Sequence, residues 1–169
     1  AVDLTYDPYE NVTWWERNWG KVVDLVVQII CLIINIVAQN WIGVVFSVLS
    51  IIGTVADMIL TEVCPAYAKV AGGLGTMGNG ANAIATGLGL IGGCNPVTFV
   101  IGIVCILVGA ATLRLGINEV INGATGVNYL REWRGMSQTD YDRLYLATNI
   151  ACTVCTIVGE LAMPFRNTC

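Results

Sequence analysis

Three stretches of this sequence carry no charge: Leu25 to Ala56, Val70 to Leu113 and Leu144 to Gly159. The first two exceed the roughly 20 residues that a helix needs to cross the hydrocarbon of a bilayer, and the third falls just short. Such runs leave the chain two settings. Either they are helices bathed in lipid, or they are helices apolar on all sides that bury one another in a soluble assembly. Composition suits both, with 56% hydrophobic and 12% charged residues against roughly 45–50% and about 25% in an ordinary soluble domain. The charges that exist gather at the ends and between the silent runs.

The length of 169 residues is that of one domain. A net charge of −4 without any basic block leaves no electrostatic footprint for nucleic acid or anionic headgroups, so no nucleic-acid partner is expected. The chain opens on Ala1, which points to a processed or excised chain. Residues 1–20 form a polar segment with Tyr6, Tyr9, Trp14, Trp15 and Trp19, which suits either an interfacial belt or a cap over a core. Asn11-Val12-Thr13 matches a glycosylation sequon. Residues 21–163 read as a hydrophobic helical domain and 164–169 as a tail.

The first helix is predicted over Lys21 to Trp41. Asp24, Gln28, Asn35 and Gln39, with Lys21 and Cys31 completing steps of three and four, draw one polar stripe down an apolar cylinder. An unpaired amide in hydrocarbon costs several kcal/mol, so the stripe should face protein or trapped water, either in interhelical hydrogen bonds or along a pore. A joint is predicted at Gly43 and a second helix over Val44 to Leu60, with Gly43, Ser47, Ser50, Gly53, Thr54 and Asp57 as a face for close approach, ending at Cys64-Pro65.

The glycine-rich stretch Pro65 to Gly93 has Ala71, Gly75, Asn79, Ala83 and Gly87 four apart. That pattern favours a helix, although Gly78-Asn79-Gly80 would also make a turn. Asn95-Pro96 is a helix start, and along the helix that follows toward Asn122 the glycines Gly102, Gly109, Gly116 and Gly123 stand seven apart, with Cys105, Thr112 and Glu119 between. A seam of this kind reads as close helix contact. After a connector from Thr125 to Gly135, Ser137-Gln138-Thr139-Asp140 resembles a capping box that opens a last helix, Gln138 to Met163, stopped by Pro164.

Signs of chemistry are few. The chain has no His, its acids lie in caps, ends and connectors, and neither a phosphate loop nor a dinucleotide fingerprint occurs, so no catalytic residue and no cofactor is assigned. Cys152 and Cys155 form C-x-x-C inside an apolar run without further ligands, so no metal site is expected and these cysteines read as packing residues. Cys64 and Cys94 are a candidate disulfide pair only if Gly78-Asn79-Gly80 turns the chain. A straight helix between them would hold the two about 40 Å apart. Cys169 is then the natural thiol for a link between molecules.

From Arg114 onward, Gly116-Ile117-Asn118-Glu119, Thr125-Gly126-Val127-Asn128-Tyr129, Trp133, Gly135-Met136-Ser137, Tyr141, Leu144-Tyr145 and Asn149-Ile150-Ala151 resemble the glycine-rich helical region ahead of the toxic domain in secreted polymorphic toxins of Gram-positive bacteria. Gly72 to Gly93 resembles it loosely. The resemblance implies export or delivery of a linked effector and membrane insertion rather than catalysis. The chain departs from that family's pattern in lacking a nuclease-like or hydrolase-like domain after the region and a secretion coiled coil before it, and in its seven cysteines.

The expectation is an all-α bundle of four or five hydrophobic helices with glycine-rich packing seams through Gly75, Gly87, Gly102, Gly109, Gly116 and Gly123. Its expected role is a non-enzymatic membrane-inserting or translocation module of a secreted, bacterial, toxin-like protein. Its partners would be a lipid membrane or copies of itself, in a homo-oligomer. The rival is an exported structural subunit that assembles into a filament or ring.

Overall fold

Pro65 and Pro96 each stand in the first turn of a long helix, where a missing N–H is no loss, and they set the frame of the computed structural model. It describes residues 14–169, with side chains from 18 onward. The aromatic residues Tyr6 and Tyr9 and the sequon at Asn11 lie outside the described residues, as do the side chains of Trp14 and Trp15. The described chain is all-α: α1 Trp14–Val37, α2 Trp41–Leu60, α3 Pro65–Ile91, α4 Pro96–Thr125, the short α5 Tyr129–Arg134 and α6 Gln138–Ala162, closed by a 3-10 turn Met163–Phe165.

The boundaries follow local chemistry. Asn95 caps α4 through Val97 N at 2.9 Å, and Ser137 caps α6 through Asp140 N at 3.1 Å. Gly126 and Gly135 end α4 and α5 with positive φ, where a side chain would be strained. Two expectations shift. The first helix begins at Trp14 and stops at Val37, because Gln39 takes a φ of 57° in a tight turn and Asn40 then caps α2 by accepting from Gly43 N. The joint is therefore at Ala38 to Asn40, and Gly43 lies inside α2 against Asn35. The glycine-rich stretch is one unbroken helix through Gly78-Asn79-Gly80.

Consecutive long helices run antiparallel. Gln28 meets Thr54 and Asn35 meets Ser47 across α1 and α2, and Gly53 meets Gly75 across α2 and α3. Helix α6 returns parallel to α3, with Thr76 beside Tyr145 and Thr86 beside Glu160. α3 is the central helix, packed by α2, α4 and α6, while α1 lies against α2 and α6. One end of the bundle holds the α2–α3 loop, α5 and the starts of α3 and α6. The other holds the α1–α2 turn, the α3–α4 turn and the tail.

The tightest contact joins α3 to α4. A Cβ built on Gly102, Gly109 or Gly116 would stand 2.8 Å from the carbonyl oxygen of Gly87, Gly80 or Gly73 respectively, and one on Gly123 would stand 2.7 Å from that of Ala66. A second close approach joins α2 to α3, where a Cβ on Gly75 would reach the Gly53 Cα at 3.0 Å. Backbones lie where side chains would otherwise stand, which offsets the roughly 1 kcal/mol that each glycine costs a helix relative to alanine.

Candidate functional site

The interior is made of small and polar residues. Asn35, Thr112, Thr153 and Thr156 are fully buried, Tyr141 and Leu90 are the largest side chains wholly inside, and many Val, Ile and Leu side chains of α1, α2, α4 and α6 are exposed. Exposed aromatic side chains keep to the two ends: Trp19, Tyr67, Tyr129 and Trp133 at one, Trp41, Phe99 and Phe165 at the other. Asn18–Val37, Trp41–Leu60, Pro96–Thr125 and Gln138–Phe165 are each long and apolar enough to cross a membrane.

The polar stripe of α1 lies inside. Gln28 Nε2 donates to Asp24 Oδ2 at 3.0 Å and to Thr54 Oγ1 at 3.1 Å, and near the mouth of this group Lys21 Nζ pairs with Asp57 Oδ2 at 3.3 Å. Asn35 Nδ2 donates to Ser47 Oγ at 3.1 Å, and Asn82 Nδ2 reaches the same hydroxyl from α3 at 3.3 Å. Gln39 does not belong with Asp24, Gln28 and Asn35. It sits exposed in the turn, because α1 has already ended at Val37.

A second polar file runs between α3 and α6. Asn79 Nδ2 donates to the Asn149 carbonyl at 3.1 Å and Thr153 Oγ1 donates to Asn79 Oδ1 at 3.1 Å. Glu160 Oε1 accepts from Asn40 Nδ2 at 2.6 Å and from Thr86 Oγ1 at 3.2 Å, which ties α6 to the α1–α2 turn. A third group sits where α4, α5 and α6 meet: Tyr141 Oη donates to Glu119 Oε2 at 2.7 Å, and Asn118 Nδ2 donates to Tyr141 Oη and Asn128 Oδ1. Sequence reasoning singled out neither Asn82 nor Glu160. The signal for Glu160 was a lone acid at the end of the silent run Leu144 to Gly159, shortly before Pro164.

Among the described residues, four buried polar atoms find no partner: Asp24 Oδ1, Ser50 Oγ, Asn82 Oδ1 and Asn128 Nδ2. Asn82 also lines a cavity of about 630 Å³ bounded by the α1–α2 turn, α3, α6 and the tail, with Asn40, Thr86, Glu160 and Arg166 in its wall. The tail is held there by a Cys94–Cys169 disulfide with Cα atoms 5.8 Å apart, and by Asn95 N donating to the Arg166 carbonyl at 2.9 Å. Cys64 and Cys94 therefore do not pair, since the straight α3 holds them at opposite ends of the bundle, and Cys169 is bonded within its own chain. Cys152 is buried with its thiol toward the Asn79 carbonyl, and the Cys155 carbonyl accepts from the Cys105 thiol.

Fold and interior together define a class: an all-helical bundle with four span-capable helices, small and polar within and apolar without. No family model, curated protein or solved structure matches the chain.

Proposed function

We propose that this chain is a membrane-embedded, non-enzymatic helical module that inserts into a bilayer, and that it serves the delivery of a linked or partner effector. The single observation that carries the membrane reading is the partition of side chains. Large apolar groups cover the outside of every long helix except the better-shielded α3, and the interior is mostly glycine, alanine, serine, threonine, asparagine and cysteine, with Leu90, Leu115 and Tyr141 among them. Water would meet exposed Val, Ile, Leu and aromatic side chains on every long helix, whereas the largest apolar patch of an ordinary monomer is roughly 300–600 Å². Lipid leaves that face unopposed, and small residues with interhelical hydrogen bonds are what packs helices there. Aromatic side chains confined to the two ends support the same placement, since indole and phenol rings favour the headgroup level. The delivery role is supported by the resemblance of the region from Arg114 onward to pre-toxin helices.

Charge supports an orientation. Lys21, Lys69, Arg114, Arg131, Arg134 and Arg143 belong to the end that holds α5, and Arg114 leans toward it over the Trp133 ring at 5.9 Å. Arg166 and the Cys94–Cys169 bond belong to the other end. Basic loops favour the cytoplasm and disulfides favour oxidising compartments, so the α5 end faces inward and the tail outward. Flotation with lipid vesicles tests the reading. The chain should rise with vesicles after an alkaline carbonate wash, whereas an ordered polymer formed in plain buffer without lipid would favour the structural-subunit rival.

A further inference from the structure

We propose that Arg114 and Arg134, set about the exposed indole of Trp133, hold the phosphate of an anionic phospholipid. The proposal rests on the membrane reading above and names the lipid that the α5 end prefers. On the outward face of α4, Val100, Val104, Leu107, Ala111 and Arg114 follow at steps of three and four, so one charge closes a stripe of small and apolar side chains. Arg114 is also the first charge after the silent run that ends at Leu113, which in a bilayer sets it at the edge of the hydrocarbon. Helix α5 brings a second cation to it. The Trp133 ring is 66% exposed, and its centroid lies 5.9 Å from Arg114 Cζ and 4.3 Å from Arg134 Cζ. Asn118 holds α5 in this position, with Nδ2 donating to Asn128 Oδ1 at 2.9 Å and Oδ1 accepting from Leu130 N at 3.1 Å. The sequence shows no basic block here, because the two arginines meet only through that fold.

Neither guanidinium is spent within the protein. Among the described residues, Arg114 and Arg134 have no carboxylate at ion-pair distance and donate no hydrogen bond, and Glu132 of α5 pairs with neither. Their neighbours at the same end are committed: Lys21 pairs with Asp57, and Arg131 Nε donates to the Met136 carbonyl at 3.1 Å. A guanidinium against an aromatic face keeps its N–H groups in plane and directed outward, and unmatched donors at the edge of hydrocarbon are costly. Phosphate oxygens at the headgroup level match that fork in pairs. Two cations without an acid between them also discriminate among headgroups. A zwitterionic lipid would bring its own ammonium toward them, whereas an anionic lipid brings only the phosphate charge.

The test reads the lipid beside Trp133 itself. The chain is placed in phosphatidylcholine vesicles with Trp14, Trp15, Trp19 and Trp41 changed to Phe, and quenching of the remaining indole by brominated phosphatidylglycerol is compared with quenching by brominated phosphatidylcholine. The site should favour phosphatidylglycerol about fivefold, and Arg114→Gln and Arg134→Gln should each bring the ratio to within about twofold of unity. Both arginines are exposed, so the fold should hold, as circular dichroism checks, and either variant decides the matter should the other fail. Counting bound phosphatidylglycerol by native mass spectrometry of the chain with all its tryptophans gives the same comparison should the Phe background not fold. Arg143→Gln removes the same charge from the same end, beside Asp142 on α6, and should change the ratio by less than about twofold. Excess inorganic phosphate should leave the preference intact. Equal quenching by the two lipids overturns the proposal, as does an equal loss in Arg143→Gln, which would mean diffuse charge, or a preference abolished by inorganic phosphate. A chain that does not float with neutral vesicles fails the membrane reading and takes the proposal with it, whereas one that floats without preference fails the proposal alone.

Discussion

Asn35 shows how single residues hold this bundle. Its amide is fully buried, gives protons to Ser47 Oγ and the Cys31 thiol, and accepts from Asn40 Nδ2 at 3.3 Å, so one side chain links α1, α2 and the turn between them. Replacing Asn35 by Leu would leave Ser47 and Asn40 short of a partner and would press a branched side chain toward Gly43. Hydrogen bonds between helices in a membrane are worth about 1 kcal/mol or less each, so the loss should be about 1–2 kcal/mol in detergent unfolding. A double-mutant cycle with Ser47→Ala should show positive coupling, while additive effects would mean that the amide is not engaged. The cysteines make a second residue-scale statement. With Cys94 and Cys169 joined inside one chain, the protein should run as a monomer on a non-reducing gel and yield a Cys94–Cys169 cross-linked peptide by mass spectrometry. A disulfide-linked dimer through Cys169 would contradict this.

At the scale of elements the central fact is the mating of α3 and α4. Gly73, Gly80 and Gly87 are seven apart, as are Gly102, Gly109 and Gly116, and the two files meet in antiparallel register with carbonyl oxygens pressed toward the facing glycines. Gly109→Leu gains somewhat under 1 kcal/mol of helix propensity but meets the Gly80 backbone, and overpacking typically costs about 1–3 kcal/mol, so the variant should melt below the parent. Leu107→Ala, at an exposed position on the same helix, should melt close to it. Equal melting of Gly109→Leu and the parent would sink the close-packing account. The α4 file was legible in the sequence because that helix presents its glycines on one face only. On α3 the four-residue spacing through Gly75, Asn79 and Ala83 drew attention instead, and the partner file was missed. A helix packed on three sides overlays three periodicities, with Gly75 toward α2, Asn79 toward α6 and Gly73, Gly80 and Gly87 toward α4. The Cys94–Cys169 pairing was not legible either, because it depends on α3 staying straight and on the tail folding back over the α3–α4 turn. Asp24, Gln28 and Asn35 could be read from period alone, whereas Gln39 could not be excluded without knowing that the helix ends at Val37.

The whole molecule is a bundle turned inside out relative to a water-soluble one, and its charge is polarised along the long axis. The charge-free parts of α2, α4 and α6 span about 25 Å at 1.5 Å per residue, a little less than the roughly 30 Å of an average hydrocarbon core. In the proposed membrane setting, the long side chains of Lys21 and Arg114 would reach the headgroups and modest local thinning would close the difference. The proposed orientation places the basic end inward, so trypsin should cut at exposed Arg134 in inside-out membrane vesicles and spare it in right-side-out ones, and the reverse pattern would invert the assignment. The partition of side chains itself is tested most directly by nitroxide labels placed one at a time along α4 in lipid vesicles. Labels at Val100, Val104, Leu107 and Ala111, which face outward, should be reached by oxygen dissolved in the lipid, and labels at Thr98, Cys105 and Thr112 should be shielded. Uniform shielding along the helix, or access to a water-soluble relaxation agent at Leu107, would contradict a lipid-facing exterior.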